Sequence, residues 1–131
     1  SDDFVAAVLG ATGGRGVEYS FEAVGPPAVQ EAAYKATRRG GALVIVGVAP
    51  KGSTTAFAGL DLHIHQRRIL GSFFGSTDPN REFGRLLDFY RHGQLMVDEL
   101  ISKRYPFEQI NEGYADLLKG GHKRGLLIFE D

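Results

Sequence analysis

The hydrophobic residues of this chain follow two different periods, which alternate along it. β-Branched and aromatic residues are dense in three short stretches, which predicts strands over residues 17–24, 42–48 and 68–74. The second stretch is apolar on both faces, and such a run is typical of a strand buried between two helical layers in a parallel sheet. In the first stretch the apolar side chains share one face: Val17, Tyr19, Phe21 and Ala23.

Hydrophobic residues with helical spacing lie between the first two predicted strands and again after the third. Residues 28–38 carry a narrow apolar stripe, and Gly40 and Gly41 follow them as a predicted left-handed cap. Apolar side chains recur at i, i+3, i+4 and i+7 in residues 83–90, and a comparable pattern covers residues 108–119. Because strands and helices alternate with short glycine turns, the pattern predicts an α/β fold with right-handed crossovers.

Composition narrows the chemistry that this fold could carry. The 131 residues suit one domain, and a formal net charge of −1 gives no electrostatic case for a nucleic acid partner. The chain has no cysteine, which excludes a disulfide framework, a zinc finger and a thiol nucleophile within it. No apolar run approaches the roughly 20 residues of a membrane helix, and the first residues lack the features of a signal peptide. We therefore expect no membrane partner and a cytoplasmic location, and the lack of an initiator Met indicates a piece of a longer chain.

Three glycines near the start have the spacing of a phosphate-binding loop: Gly10, Gly13 and Gly16. Such a loop needs a strand before it and a helix after it, because only then does the helix N-terminus face the phosphate. Here helical residues precede the glycines and a strand follows them. The pattern therefore favours a helix cap and turn over a phosphate site.

The ends of the three predicted strands are better candidates for a binding site. Open α/β sheets bind ligands in the crevice beyond the carboxyl ends of their strands. Gly25 and Gly47 lie at two of these ends, where a glycine lets a flat ring or a ribose approach the backbone. Residues 72–74 end the third strand at the same edge, so that three strand tips could line one groove. Simple tight turns are the alternative interpretation of both glycines.

Two further sets of polar side chains carry weaker signals. His63 and His65, with Asp61, could hold a metal ion, but no further ligand stands nearby and we favour surface or capping histidines. Arg124 could neutralise a phosphate, or could be a plain surface arginine. No serine lies in a nucleophile-elbow pattern, so a hydrolase has no positive support.

Five motifs follow one another along the chain: FEAVG at 21–25, GGALVIVGV at 40–48, ILGSFFG at 69–75, INEGY at 110–114 and RGLLIF at 124–129. In this order and spacing they resemble the carboxyl-terminal portion of the medium-chain, zinc-type alcohol dehydrogenases. The resemblance covers essentially the whole chain.

That resemblance implies that the chain consists of two parts. Residues 1–75 would be the second half of a dinucleotide-binding Rossmann sheet, with its strands four to six. Residues 76–131 would be the segment that returns to the catalytic domain. The resemblance also implies a small alcohol or aldehyde substrate, and a homo-oligomer through the edge strand at 68–74. An open sheet edge also predicts association or aggregation of the isolated piece.

The same resemblance implies ten cofactor-binding residues in this chain and no catalytic residue or metal ligand. They are Ala23 and Val24 beside the adenosine of NAD, with Gly25 next to them; Val46, Gly47 and Val48 along the nicotinamide ribose and carboxamide; Ser72 and Phe74 at the carboxamide, with Phe73 between them; and Arg124 at the pyrophosphate.

Several motifs and ligands that are typical of the family are not in this sequence. The glycine fingerprint, the acidic residue that reads the ribose, and the Cys and His ligands of the catalytic zinc all belong to parts that are not in this sequence. We therefore expect the parent protein to transfer hydride from an alcohol to NAD, with NADP left open, and this piece to be inactive alone. Two other hypotheses remain: part of a zinc-free medium-chain quinone or enoyl reductase, and a non-catalytic α/β binding module.

Overall fold

The computed structural model describes residues 2–121 and 123–129. The chain divides into two compact units, Ser1–Thr77 and Asp78–Asp131. Both units combine helices with parallel strands, as the alternating pattern predicts. Within the described part of the chain, none of the helices has the length and apolar character that crossing a membrane requires.

The first unit is a three-stranded parallel sheet with helices between its strands. The sheet order is β1 (Val17–Glu22), β2 (Thr37–Ile45) and β3 (Arg68–Gly71), and both neighbouring pairs are parallel. In the register of the sheet, Phe21 lies beside Val44, and Val44 lies beside Leu70. The elements are α1 (Asp2–Ala11), β1 (Val17–Glu22), α2 (Pro27–Ala36), β2 (Thr37–Ile45), α3 (Gly59–His65) and β3 (Arg68–Gly71).

The junction of α2 and β2 differs from the prediction. The helix ends at Ala36, and the strand begins at once, so Gly40 and Gly41 lie inside β2 and do not cap the helix. Thr37 ends the helix because its backbone is extended, while its hydroxyl donates to the carbonyl oxygen of Ala33 at 2.9 Å. The register between β1 and β2 is irregular at this end of the sheet, which accommodates the additional residues of β2.

The buried face of β1 is its polar face. Ser20 and Glu22 are buried beside Leu43 and Ile45 of β2, on the face that α2 covers. The apolar residues of β1 point the other way, and the side chain of Phe21 is 70 % exposed. The core cluster of the first unit thus lies on the α2 side of β2, whereas the apolar sequence of residues 42–48 predicts helical cover on both faces.

The described residues of the second unit contain two α-helices and a two-stranded parallel sheet. Asp78 caps the first helix, since its side chain accepts a hydrogen bond from the backbone N–H of Asn80, and Pro79 follows at the first helical position. The apolar stripe of that helix is exposed at Phe83 and Leu87. The elements are α4 (Pro79–Arg91), β4 (Ile101–Pro106), α5 (Ile110–Lys119) and β5 (Arg124–Ile128).

A charged cluster ties α5 to β4. The Nζ of Lys103 donates to Glu112 and to Asp116, each at 3.0 Å, and the hydroxyl of Tyr105 donates to Asp116 at 2.9 Å. The hydrogen bond from Lys103, followed by that from Tyr105, lowers the pKa of Asp116 to about 2. Hydrogen bonds to Glu112 and Asp116 raise the pKa of Lys103 above its usual value.

We expect the second unit to lose stability in acid through Asp116. A carboxyl group whose pKa is lowered on folding stabilises the fold above its unfolded value near 3.8, and the contribution disappears as the pH falls towards 2. Asp116→Asn should therefore lower the free energy of unfolding of the second unit at neutral pH and make it depend less on pH. Amide spectra of the second unit, recorded between pH 7 and pH 2, measure the unfolding. Glu108→Gln, at an exposed position, is the control. Parallel acid profiles for the wild type and Asp116→Asn would contradict this role.

Candidate functional site

The carboxyl ends of β1, β2 and β3 meet at one edge of the first unit. The backbone N–H groups of Val46 and Gly47 donate to the carbonyl oxygen of Glu22 at 2.8 and 2.9 Å. The backbone N–H of Ser72 donates to the carbonyl oxygen of Ile45 at 2.9 Å. These bonds place nine of the ten predicted site residues side by side. We call residues 23–25, 46–48 and 72–74 the strand-tip surface.

Arg124, the tenth predicted residue, belongs to the second unit. It is the first residue of β5, and its side chain is exposed. Within the described part of the chain, no carboxylate forms an ion pair with it. Its guanidinium group is therefore available to an anion.

Much of the strand-tip surface is apolar and exposed. The side chain of Val48 is 85 % exposed and that of Phe73 is 79 % exposed. The rings of Phe73 and Phe74 contact edge to face, with 4.5 Å between their centroids. Phe74 has a φ of 49°, a left-handed conformation that is rare for an aromatic residue. A flat apolar group could pack on this surface while hydrogen-bonding to backbone at its edges.

Glu22 is the functional candidate that the sequence analysis missed. Its side chain is buried, and its Oε1 accepts hydrogen bonds from the backbone N–H groups of Val24 and Gly25 at 2.6 and 2.7 Å. Its Oε2 is buried without a hydrogen-bond partner among the described residues. The available signal was a lone carboxylate at the end of a strand, close enough in sequence to reach the free N–H groups of the turn that follows.

The structure gives a different reason for the two glycines of the strand-tip surface. A Cβ on Gly47 would lie 2.7 Å from the backbone nitrogen of Val24 and 2.8 Å from Oε2 of Glu22, and it would overlap the backbone nitrogen of Gly25. Gly25 has a φ of 114°, and a Cβ there would overlap the carbonyl oxygen of Val48. The space beside Gly25 and Gly47, where the sequence predicts the approach of a ligand, is filled by the backbone of the neighbouring strand tip.

The other sequence candidates take structural roles. α1 precedes Gly13 and β1 follows Gly16, and both glycines have positive φ, so the three-glycine pattern is the predicted turn. Asp61 contacts the Nδ1 of His65 at 2.6 Å and also pairs with Arg67. In the part of the chain that the structure describes, no group of three side chains has the arrangement of a metal site.

Comparison with known proteins places the chain in a family. The family model described as "Zinc-binding dehydrogenase" matches residues 1–91. The putative alcohol dehydrogenase D of Mycobacterium tuberculosis (strain CDC 1551 / Oshkosh) is 41 % identical over 120 residues, which cover 89 % of this chain and 33 % of that protein. The chain thus spans about a third of the length of the curated relatives it matches.

Solved structures agree with this relationship. The benzyl alcohol dehydrogenase of Acinetobacter calcoaceticus superposes with a TM-score of 0.86 at 29 % identity, covering 98 % of this chain and 35 % of that one. A putative zinc-binding dehydrogenase from Sinorhizobium meliloti 1021, solved bound to NADP, superposes with a TM-score of 0.73 at 25 % identity, covering 86 % of this chain and 32 % of that one. As the sequence motifs predict, the chain belongs to the zinc-binding dehydrogenase family and is similar to the carboxyl-terminal part of medium-chain, zinc-type alcohol dehydrogenases.

Proposed function

We propose that this chain supplies one wall of the cofactor groove of an NAD-dependent alcohol dehydrogenase. The observation that carries the proposal is the strand-tip surface, where three parallel strands end side by side. Residues 1–75 would act as the partial cofactor domain, and residues 76–131 as a segment of the catalytic domain. Small alcohols and aldehydes would be the substrates of the whole protein.

The residues of the strand-tip surface fit a nicotinamide cofactor. The backbone N–H groups of Val48 and Phe74 make no hydrogen bond within the described part of the chain, so they can donate to a carboxamide. The exposed side chains of Val46 and Val48 offer an apolar floor for a flat ring. When bound, the cofactor accepts the hydride that the alcohol loses. This chain would hold the nicotinamide ring in its orientation, and Arg124 would neutralise the pyrophosphate.

The residues present do not fit a catalytic zinc ion. The sequence has no cysteine, and the described residues contain no group of three candidate ligands. In the proposed function, the zinc ligands come from other parts of the parent protein. The chain alone would therefore orient a cofactor without oxidising an alcohol.

A second copy of the chain is a proposed partner. β3 pairs only with β2 in the described sheet, so its outer edge has unpaired backbone groups. Pairing of that edge with the same edge of a second copy would satisfy these groups. A cytoplasmic location stays a prediction from the sequence.

Titration with NADH tests the proposed function. We expect the chain to enhance NADH fluorescence with a Kd on the order of 1 mM, because it provides only part of a groove. It should give no absorbance change at the NADH band with NAD and an alcohol. Arg124→Gln should weaken NADH binding about threefold through the lost phosphate contact, whereas Arg104→Gln, an exposed arginine of β4, should not. Absence of NADH binding, or equal effects of the two variants, would contradict the proposal.

A further inference from the structure

Glu22 occupies an unusual position for a carboxylate. It ends β1, its side chain is 2 % exposed, and the groups that donate to it are backbone N–H groups rather than a cation. A buried carboxylate without a cationic partner is costly, so its hydrogen bonds have to compensate for the lost hydration. Glu18, on the same strand, is exposed and pairs with Arg38 in the ordinary manner.

Each of the hydrogen bonds to Glu22 fixes a part of the strand-tip surface. Its Oε1 holds the N–H groups of Val24 and Gly25, which turn the chain away from β1. Its main-chain oxygen holds the N–H groups of Val46 and Gly47 at the tip of β2. The side chain of Glu22 thus fixes the tip of β1, and its main-chain oxygen joins that tip to the tip of β2.

The packing leaves the carboxylate little freedom. Gly47 lies against it so closely that a Cβ would come within 2.8 Å of Oε2. On the other side of the turn, the side-chain amide of Gln30 donates to the carbonyl oxygen of Gly25 at 3.0 Å. The Val24–Gly25 turn is thus held from both sides by buried side chains.

We infer that Glu22 is a positioning residue of the cofactor site, whose side chain holds the Val24–Gly25 turn at the tip of β1 in the arrangement that receives the dinucleotide. The inference rests on the proposed function. It deepens that proposal because the side chain of Glu22 would set the geometry of the β1 tip without itself touching the ligand. The role of Glu22 requires a side chain that places a hydrogen-bond acceptor at this distance from the backbone. A side chain that only fills the same volume would not hold the turn.

Two substitutions of similar size separate the acceptor from the volume. Glu22→Gln keeps an oxygen that can accept both N–H groups, whereas Glu22→Met fills the same space and offers only a thioether sulfur, which is a weak acceptor. We expect Glu22→Met to speed amide exchange at Val24 and Gly25 and to weaken NADH binding, each about tenfold. Glu22→Gln should stay within about threefold of the wild type in NADH affinity, because a neutral acceptor is weaker but present. Glu18→Gln should change neither quantity.

The outcomes distinguish this inference from the proposed function. If the wild-type chain does not bind NADH, the proposed site fails and the positioning role fails with it. If the wild type binds but Glu22→Met binds equally well, the inference alone is overturned. If Glu22→Met does not fold, Glu22→Gln decides: a folded Glu22→Gln chain that has lost NADH binding overturns the inference, and one that retains it supports the inference.

Discussion

Gly47→Ala should destabilise the first unit by about 3 kcal/mol, a large loss for a domain that is stable by roughly 5–15 kcal/mol. The new Cβ would overlap the backbone nitrogen of Gly25 and lie 2.7 Å from that of Val24. Both atoms belong to the main chain of the adjoining strand tip, so they cannot move aside as a flexible side chain would. Urea unfolding, followed by amide signals of the first unit, measures the loss.

Gly10→Ala is the matched control for that experiment. Gly10 lies in α1, and a Cβ there would have no atom within 4 Å. Alanine is the better helix former, so this variant should be neutral or up to about 1 kcal/mol more stable. Equal unfolding midpoints for the two variants would contradict the close approach of the β1 and β2 tips.

Leu43→Ala should also destabilise the first unit by about 3 kcal/mol, because a large core residue leaves a cavity when it is truncated. Leu43 is fully buried in the middle strand, where it packs with Ala33 and Tyr34 of α2. Leu60→Ala, at an exposed position of α3, should change the free energy of unfolding by less than about 0.5 kcal/mol. A loss below about 1 kcal/mol for Leu43→Ala would show that the core lies elsewhere.

The order of the elements could be predicted because the local patterns are strong. Residues 42–48 form an unbroken apolar run, and such runs occur in parallel sheets. Asp78 and Pro79 form a local N-terminal signal whose hydrogen bond the structure contains. The start of β2 could not be predicted in the same way. It depends on the Thr37 hydroxyl, which reaches Ser20 of the neighbouring strand at 2.7 Å, a contact between residues distant in sequence.

The buried face of β1 shows a second limit of pattern reasoning. The apolar residues of this strand share one face, yet the helices of the first unit cover the opposite face. Ser20 and Glu22 tolerate burial because each has hydrogen-bond partners supplied by neighbouring segments. Periodicity identifies which residues share a face, but the helix that buries one of those faces and the Thr37 hydroxyl that pairs with Ser20 lie elsewhere in the chain.

The candidate site, too, could be predicted from the sequence only in part. Parallel strands end at one edge of a sheet, so Val24, Val48 and Ser72 could be expected near one another from strand order alone. The roles of Gly25 and Gly47 could not, because a missing Cβ does not reveal whether a ligand or another strand fills the space.

The membership of the family also bears on the alternatives. A non-catalytic binding module gains no support from a chain whose relatives are dehydrogenases and which spans about a third of their length. The choice between a zinc-dependent alcohol dehydrogenase and a zinc-free reductase depends on zinc ligands that this sequence does not contain. The strand-tip surface would serve the same cofactor in either enzyme.

Amide chemical shifts during titration with the two halves of the cofactor test the central claim most directly. Nicotinamide mononucleotide should shift the backbone amides of residues 46–48 and 72–74, and adenosine monophosphate should shift those of residues 23–25. Both sets of shifts should saturate, and Glu22→Gln should preserve their pattern. Shifts that scatter away from the three strand ends, or saturating binding that leaves all three unperturbed, would contradict the account.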